Sequence, residues 1–167
     1  MSIAMLIIDV QKQYVSEPGF SEVFPVAQEY INEVSKYFRN AGLPVVHVQH
    51  VESDEVVNTE GFQISEKIVQ KEGDLYVRKT YGNSFWKTDL EETLKKLDVD
   101  YVLCTGLAAQ HCVLATYNGA IERGFKASML QHGIVGRSFE EVKNVQYDRH
   151  TIDYQSVRYI INLMKKQ

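Results

Sequence analysis

Short apolar runs that alternate with stretches of helical periodicity constrain this chain more than any other feature. Ile3 to Ile8 is an unbroken apolar run, the pattern of a strand buried on both faces. Val45 to His50, Asp74 to Arg78, Tyr101 to Cys104 and Phe125 to Gln131 read as four further strands. Between them, apolar residues recur at three- and four-residue intervals. Val26, Tyr30, Ile31, Val34, Tyr37 and Phe38 form one such stripe, Leu90, Leu94 and Leu97 a second, and Val113, Leu114, Tyr117, Ala120 and Ile121 a third. Pro25 marks the start of the first helix and Gly42 its stop, and Gly124 stops the third. Ser138 to Glu141 opens another, and a last helix from near Asp153 carries Val157, Ile160, Ile161 and Met164. The alternation predicts an α/β chain: a three-layer αβα, Rossmann-like parallel sheet of five or six strands with helices on both faces. Its 167 residues suit a single domain over 1–167.

Composition narrows the function classes. The net charge is −4 and Lys and Arg are scattered, which argues against a nucleic-acid or membrane surface. Two cysteines make no disulfide framework, and Cys104 and Cys112 lack zinc-ligand spacing. The N-terminal MSIAMLIIDVQ has no basic region ahead of its short apolar run, so neither a signal peptide nor a membrane span is expected. A reducing cytoplasm is the expected location, and it keeps a free thiol available for chemistry.

Ligands of open parallel sheets bind at the carboxyl ends of the strands. Asp9 follows the first strand, Lys79 the third, and Cys112 the turn after the fourth, where Thr105-Gly106 breaks the apolar run. Taken singly, each has a plain structural reading: a turn cap, a solvated lysine, a small buried residue. Together at one rim they form a nucleophile with its proton handling. A first-turn position and a nearby ammonium favour thiolate, and a carboxylate relays the proton. Backbone N–H groups of the turn can hold an oxyanion, worth about 3–4 kcal/mol per donor. His50 ends the second strand at the same rim and can line a pocket. Tyr14, Phe20, Tyr81, Phe85 and Trp86 lie in loops expected there, where they would stack on a substrate or shield it. His47 and His50 are an odd number apart, so they face opposite sides of their strand. His111 neighbours Cys112 but diverges from it on a helix, while Cys104 reads as core, His132 as a polar rim residue and His150 as surface. The segment Val51 to Gly73 reads as a long loop with a short helix around Ser65 to Lys71, and loops of that length are often functional.

Four motifs give the chain a family likeness: LIIDVQ around Asp9, VRKTYGNSF with Lys79, CTGLAAQHCV with Cys112, and TYNGAIERGF after it. Over about Ile3 to His150 it resembles the isochorismatase-like cysteine hydrolase superfamily, which includes the nicotinamidases. The resemblance implies a catalytic triad of Asp9, Lys79 and Cys112 and an oxyanion hole from the Ala108 and Cys112 N–H groups. It also implies a cis bond between Leu107 and Ala108, substrate contacts from Gln11, Tyr14 and Leu107, and assembly as a homo-oligomer. Metal-binding members use an Asp and several His after the second strand. Here HVQHVESDEVVN has no His-rich continuation, so no metal and no other cofactor is expected. Where family members carry an Asp ending the fifth strand, this chain has Gln131-His132. The chain also ends soon after a helix, which points to the loss of the family's sixth strand.

The combined reading is a hydrolase that opens a C–N amide bond of a small molecule through a Cys thioester. One rival keeps the fold but cleaves an isochorismate-type vinyl ether, for which Cys112 is superfluous. Another is a non-catalytic thiol or redox-sensing protein.

Overall fold

The computed structural model describes residues 2–165. Strand β1 (Ser2–Ile8) buries every residue after Ser2, as its unbroken apolar run requires of a strand covered on both faces. It pairs on one side with β2 (Val45–His50), which pairs in turn with β3 (Leu75–Lys79). On its other side lies β4 (Val99–Leu107), followed by β5 (Lys126–Val135) and β6 (Thr151–Ile152). The order is β3-β2-β1-β4-β5-β6, with every pairing parallel.

Helix α1 (Lys12–Val15) is a single turn, and α2 (Phe20–Asn40) crosses from β1 to β2. Helix α3 (Leu90–Lys96) precedes β4 and α4 (Leu114–Glu122) follows it. Helix α5 (Phe139–Gln146) leads to β6, and α6 (Tyr154–Met164) packs beside α2. The chain moves one way across the sheet through α2 and the opposite way through α3 and α4. Right-handed crossovers therefore set these helices on opposite faces. The reversal lies between β1 and β4, and such a switch point is where open α/β sheets bind ligands.

Several boundaries differ from the sequence reading. Helix α2 begins five residues before Pro25 because Phe20, Val23 and Phe24 bury their rings and methyls in the core. A proline this near an N-terminus removes only one early intrahelical bond. Strand β4 does not stop at Thr105-Gly106; it runs on to Leu107. Gly106 adopts φ +97°, and a Cβ there would lie 2.1 Å from the Ile8 carbonyl oxygen. It is thus a point of close backbone approach inside the sheet rather than a turn. Strand β5 likewise continues past Gln131, with a register shift against β4 and His132 at φ 62°. That is the behaviour of a bulge, which local pattern does not reveal. The sixth strand is present, two residues long and placed before the last helix.

No helix spans Ser65 to Lys71; the helical turn of this region is a 3-10 segment at Asp54–Asn58. The long loop is nonetheless well anchored. Phe62, Ile64 and Ile68 are buried, Gln11 bridges Ile64, and the Ser65 N–H donates to the Val10 carbonyl at 2.9 Å. Its far end is clamped where Arg39 Nε and Nη2 reach both Asp74 oxygens at 2.8 and 2.9 Å, a bidentate geometry. His47 Nε2 joins them at 2.9 Å from Asp74 Oδ2. The start signals for the last two helices act as read. Ser138 Oγ accepts the Glu141 N–H, and Asp153 accepts from Gln155 and Ser156. No described helix is long and apolar enough to cross a membrane.

Candidate active site

The close contact at Gly106 determines where the first functional groups sit. Ile8 is in register with Gly106, so the residue after β1, Asp9, meets the segment leaving β4. Asp9 turns there with φ 52°, its N–H donating to the Val48 carbonyl at 2.8 Å. Beyond β4 the Leu107-Ala108 peptide bond is cis. A π-helical turn, Ala109–Val113, then carries Cys112. The Ala108 carbonyl accepts from both the His111 and Val113 N–H groups, at 3.0 and 3.2 Å, which fixes the turn around Cys112.

Lys79 reaches this point from two strands away. Its Nζ lies 2.7 Å from Asp9 Oδ2 and 3.3 Å from His50 Nδ1. Both members of the ion pair are buried. Asp9 Oδ1 is buried too and has no hydrogen-bond partner. Asp9, His50, Leu107, Ala108 and Cys112 open onto one cleft of about 270 Å³, whose rim includes Tyr14, Phe20 and Arg137.

Burial governs the proton affinities here. It pushes the Asp9 carboxyl above its ordinary range even though Lys79 pulls it down. Burial, and next the charge of Asp9, push the Cys112 thiol up to about 12, outweighing Lys79. This balance favours the thiol form of Cys112, where the sequence reading favoured thiolate. Lys79 does pull the thiol down, as read from sequence, but a half-buried sulfur beside a carboxylate loses more than the lysine restores. Burial, and then Lys79, lower the affinity of His50 for a second proton. The Tyr14 hydroxyl, burdened by burial and by donating to Glu52 Oε1 at 2.9 Å, is held above its ordinary value. Cys104 is fully buried in the core, with its thiol also pushed up to about 12.

Of the residues expected near a substrate, Tyr14, His50 and Leu107 line the cleft together with Asp9, Ala108 and Cys112. Three others lie elsewhere. Gln11 is completely buried, its amide spent on the backbone of His50. Phe85 stacks on Phe125 at the opposite end of the sheet, 5.6 Å between ring centres, because the loop after β3 folds back along α4. Tyr81 is exposed beside Lys87 on the same loop.

Three cleft residues were not assigned from the sequence, Glu17, His111 and Arg137, while Glu52 comes from the long loop read as functional. Arg137 lies over the Phe20 ring at 5.5 Å. Its N–H and the Gln110 side chain both donate to Glu141 Oε2, at 2.8 and 2.7 Å. That shared carboxylate ties the Arg137 loop to the turn holding Cys112. The usable signal was the Ser138 cap, since residues just before a helix cap after a strand lie at the rim. Ending β5 too early hid it. Among the described residues, no group of three or more His, Cys, Asp and Glu is disposed to hold a metal ion.

Comparison with known proteins gives the site its context. The isochorismatase domain family model matches residues 3–151. The chain is 31% identical over 137 residues to an uncharacterised isochorismatase family protein, YddQ, of Bacillus subtilis, covering 78% of this chain and 76% of that protein. It is 27% identical over 130 residues to N-carbamoylsarcosine amidase of an Arthrobacter species, covering 65% of this chain and 48% of that one. The crystal structure of an isochorismatase-like hydrolase from Alkaliphilus metalliredigens superposes with a TM-score of 0.84 at 22% identity, over 96% of this chain and 99% of that chain.

Proposed function

This chain belongs to the isochorismatase family of hydrolases, and we propose that it hydrolyses a C–N amide bond of a small molecule through a thioester on Cys112. One observation carries the reading: a buried Lys79–Asp9 pair at 2.7 Å whose second carboxylate oxygen is unpartnered, in the same cleft as a cysteine. The relatives give it chemical precedent, since one of them is named as an amidase. The cleft volume of about 270 Å³ falls just below the roughly 300–1,000 Å³ of sites for drug-sized ligands, which suits a small substrate.

Because Cys112 rests as a thiol, attack needs a base. Asp9 Oδ1 takes the Sγ proton as Sγ bonds to the carbonyl carbon, and Lys79 keeps Oδ2 occupied throughout. A carboxyl with raised proton affinity suits both halves of this exchange. The Ala108 and Cys112 N–H groups receive the oxyanion. Asp9 then passes its proton to the amine as the C–N bond breaks. It next takes a proton from water, whose oxygen attacks the thioester. The C–S bond breaks, the acid leaves, and Sγ recovers its proton from Asp9.

The test is a panel of small primary amides, rapidly quenched and read by intact mass. The wild type should carry an acyl adduct on Cys112, and Cys112→Ala should carry none and turn nothing over. Turnover that survives Cys112→Ala, or a panel with neither adduct nor product, would overturn the reading.

A further inference from the structure

His50 is held more rigidly than a pocket-lining residue needs to be. Its own N–H donates to Gln11 Oε1 at 2.7 Å, and its carbonyl accepts from Gln11 Nε2 at 3.1 Å. Gln11 is fully buried and has no exposure to the cleft, so both ends of its amide serve to fix the His50 backbone. The ring is fixed as well. His50 is the register partner of Lys79 across β2 and β3, and Nδ1 lies 3.3 Å from Lys79 Nζ. An ammonium has donors and no acceptor. Nδ1 must therefore be the accepting nitrogen, which leaves the ring proton on Nε2. Nε2 has no hydrogen-bond partner among the described residues and is not among their buried, unpartnered atoms. The ring lines the cleft that holds Cys112.

We infer that His50 is a fixed hydrogen-bond donor to substrate, with Nε2–H reading an uncharged acceptor next to the scissile amide, and that Gln11 and Lys79 are its positioning residues. This rests on reading the cleft as a substrate site. The donor polarity follows from Lys79, which excludes the alternative tautomer and also opposes a second proton on the ring. The ring is accordingly no base for Cys112. The acceptor is uncharged because the cleft is negative on balance: Asp9 is paired with Lys79, and Glu17 and Glu52 outnumber Arg137, with Glu52 near enough to His50 to act on its charge. A carboxylate brought to Nε2 would meet these like charges. An ammonium or hydroxyl presented as donor would find no lone pair there. A carbonyl oxygen or a neutral ring nitrogen fits.

Two measurements test this, and neither requires turnover. Long-range proton–nitrogen correlation NMR of the wild type at neutral pH should show His50 as the Nε2–H tautomer. An imidazolium or the Nδ1–H form would overturn the inference. The second is protection of Cys112 from iodoacetamide by N,N-dimethylacetamide, a neutral acceptor without an N–H. The ratio of labelling rates with and without it should show protection in the wild type. His50→Asn keeps an oxygen for Lys79 but removes the Nε2 donor, and its protection constant should weaken at least tenfold. His50→Gln restores an N–H at that reach and should recover part of it. Absent protection in the wild type, or equal protection in His50→Asn, would overturn the inference. Failure of every amide to turn over would sink the amidase reading alone.

Discussion

Lys79 Nζ lies 2.7 Å from Asp9 Oδ2 although the whole of β2 stands between their strands. Two strand spacings amount to roughly 10 Å, which the lysine and aspartate side chains span together. The pair is buried at both ends, so each charge depends on the other.

Removing one partner should therefore cost far more than removing both. Lys79→Met leaves a buried, unpaired carboxylate, and its unfolding free energy should fall by about 3–5 kcal/mol near pH 7. The Asp9→Asn, Lys79→Met double variant should recover much of that loss. The unpaired Asp9 escapes its penalty by taking up a proton. Its folded-state affinity then lies far above the unfolded value of about 3.9. The deficit of Lys79→Met should therefore be small near pH 4 and grow as pH rises through the raised value. Urea unfolding at a series of pH values measures this, and a pH-independent deficit would refute it.

The resting thiol makes a prediction about reactivity. With Cys112 pushed up to about 12, iodoacetamide labelling should climb steadily from pH 7 to at least pH 10 without a plateau. Asp9 raises the thiol and Lys79 lowers it. Asp9→Asn should therefore move the curve to lower pH, and Lys79→Met to higher pH. A wild-type plateau below pH 8 would mean a stabilised thiolate and contradict the proposed role of Asp9 as base.

Gly106 tests the geometry that brings β1 and β4 together. An added Cβ would lie 2.1 Å from the Ile8 carbonyl oxygen and 2.6 Å from the Ile8 nitrogen, at a φ of +97°. Backbone cannot yield as a flexible side chain can. Gly106→Ala should lose at least about 4 kcal/mol, in the range of severe single substitutions, and should yield little folded protein by circular dichroism. Near-normal stability would show that the strands part readily here. By contrast, Gly42 has open space around its Cβ position, so Gly42→Ala should cost only the strain of its positive φ.

The chain's local chemistry determined a good deal unaided. The unbroken apolar run Ile3 to Ile8 dictates a strand with cover on both faces, and β1 is that strand. Ser138 and Asp153 announce helix starts because their side chains satisfy N–H groups two or three residues on, an interaction wholly contained in sequence neighbours. Asp9, Lys79 and Cys112 were legible as polar residues at or just beyond strand ends for the same reason. What local pattern could not decide depends on partners remote in the chain. Gly106 continues a strand because Ile8 lies against it, β5 outlasts its apolar run through a bulge, and α2 starts early because Phe20 has a core to enter. Arg137 and Glu17 reach the cleft, while Phe85 leaves it, through the paths of loops over the folded sheet. The protonation of Cys112 belongs to the same class. Sequence supplies the thiol and the lysine, but burial beside a carboxylate more than 100 positions away sets which form the sulfur takes. Tertiary structure alone creates that desolvation.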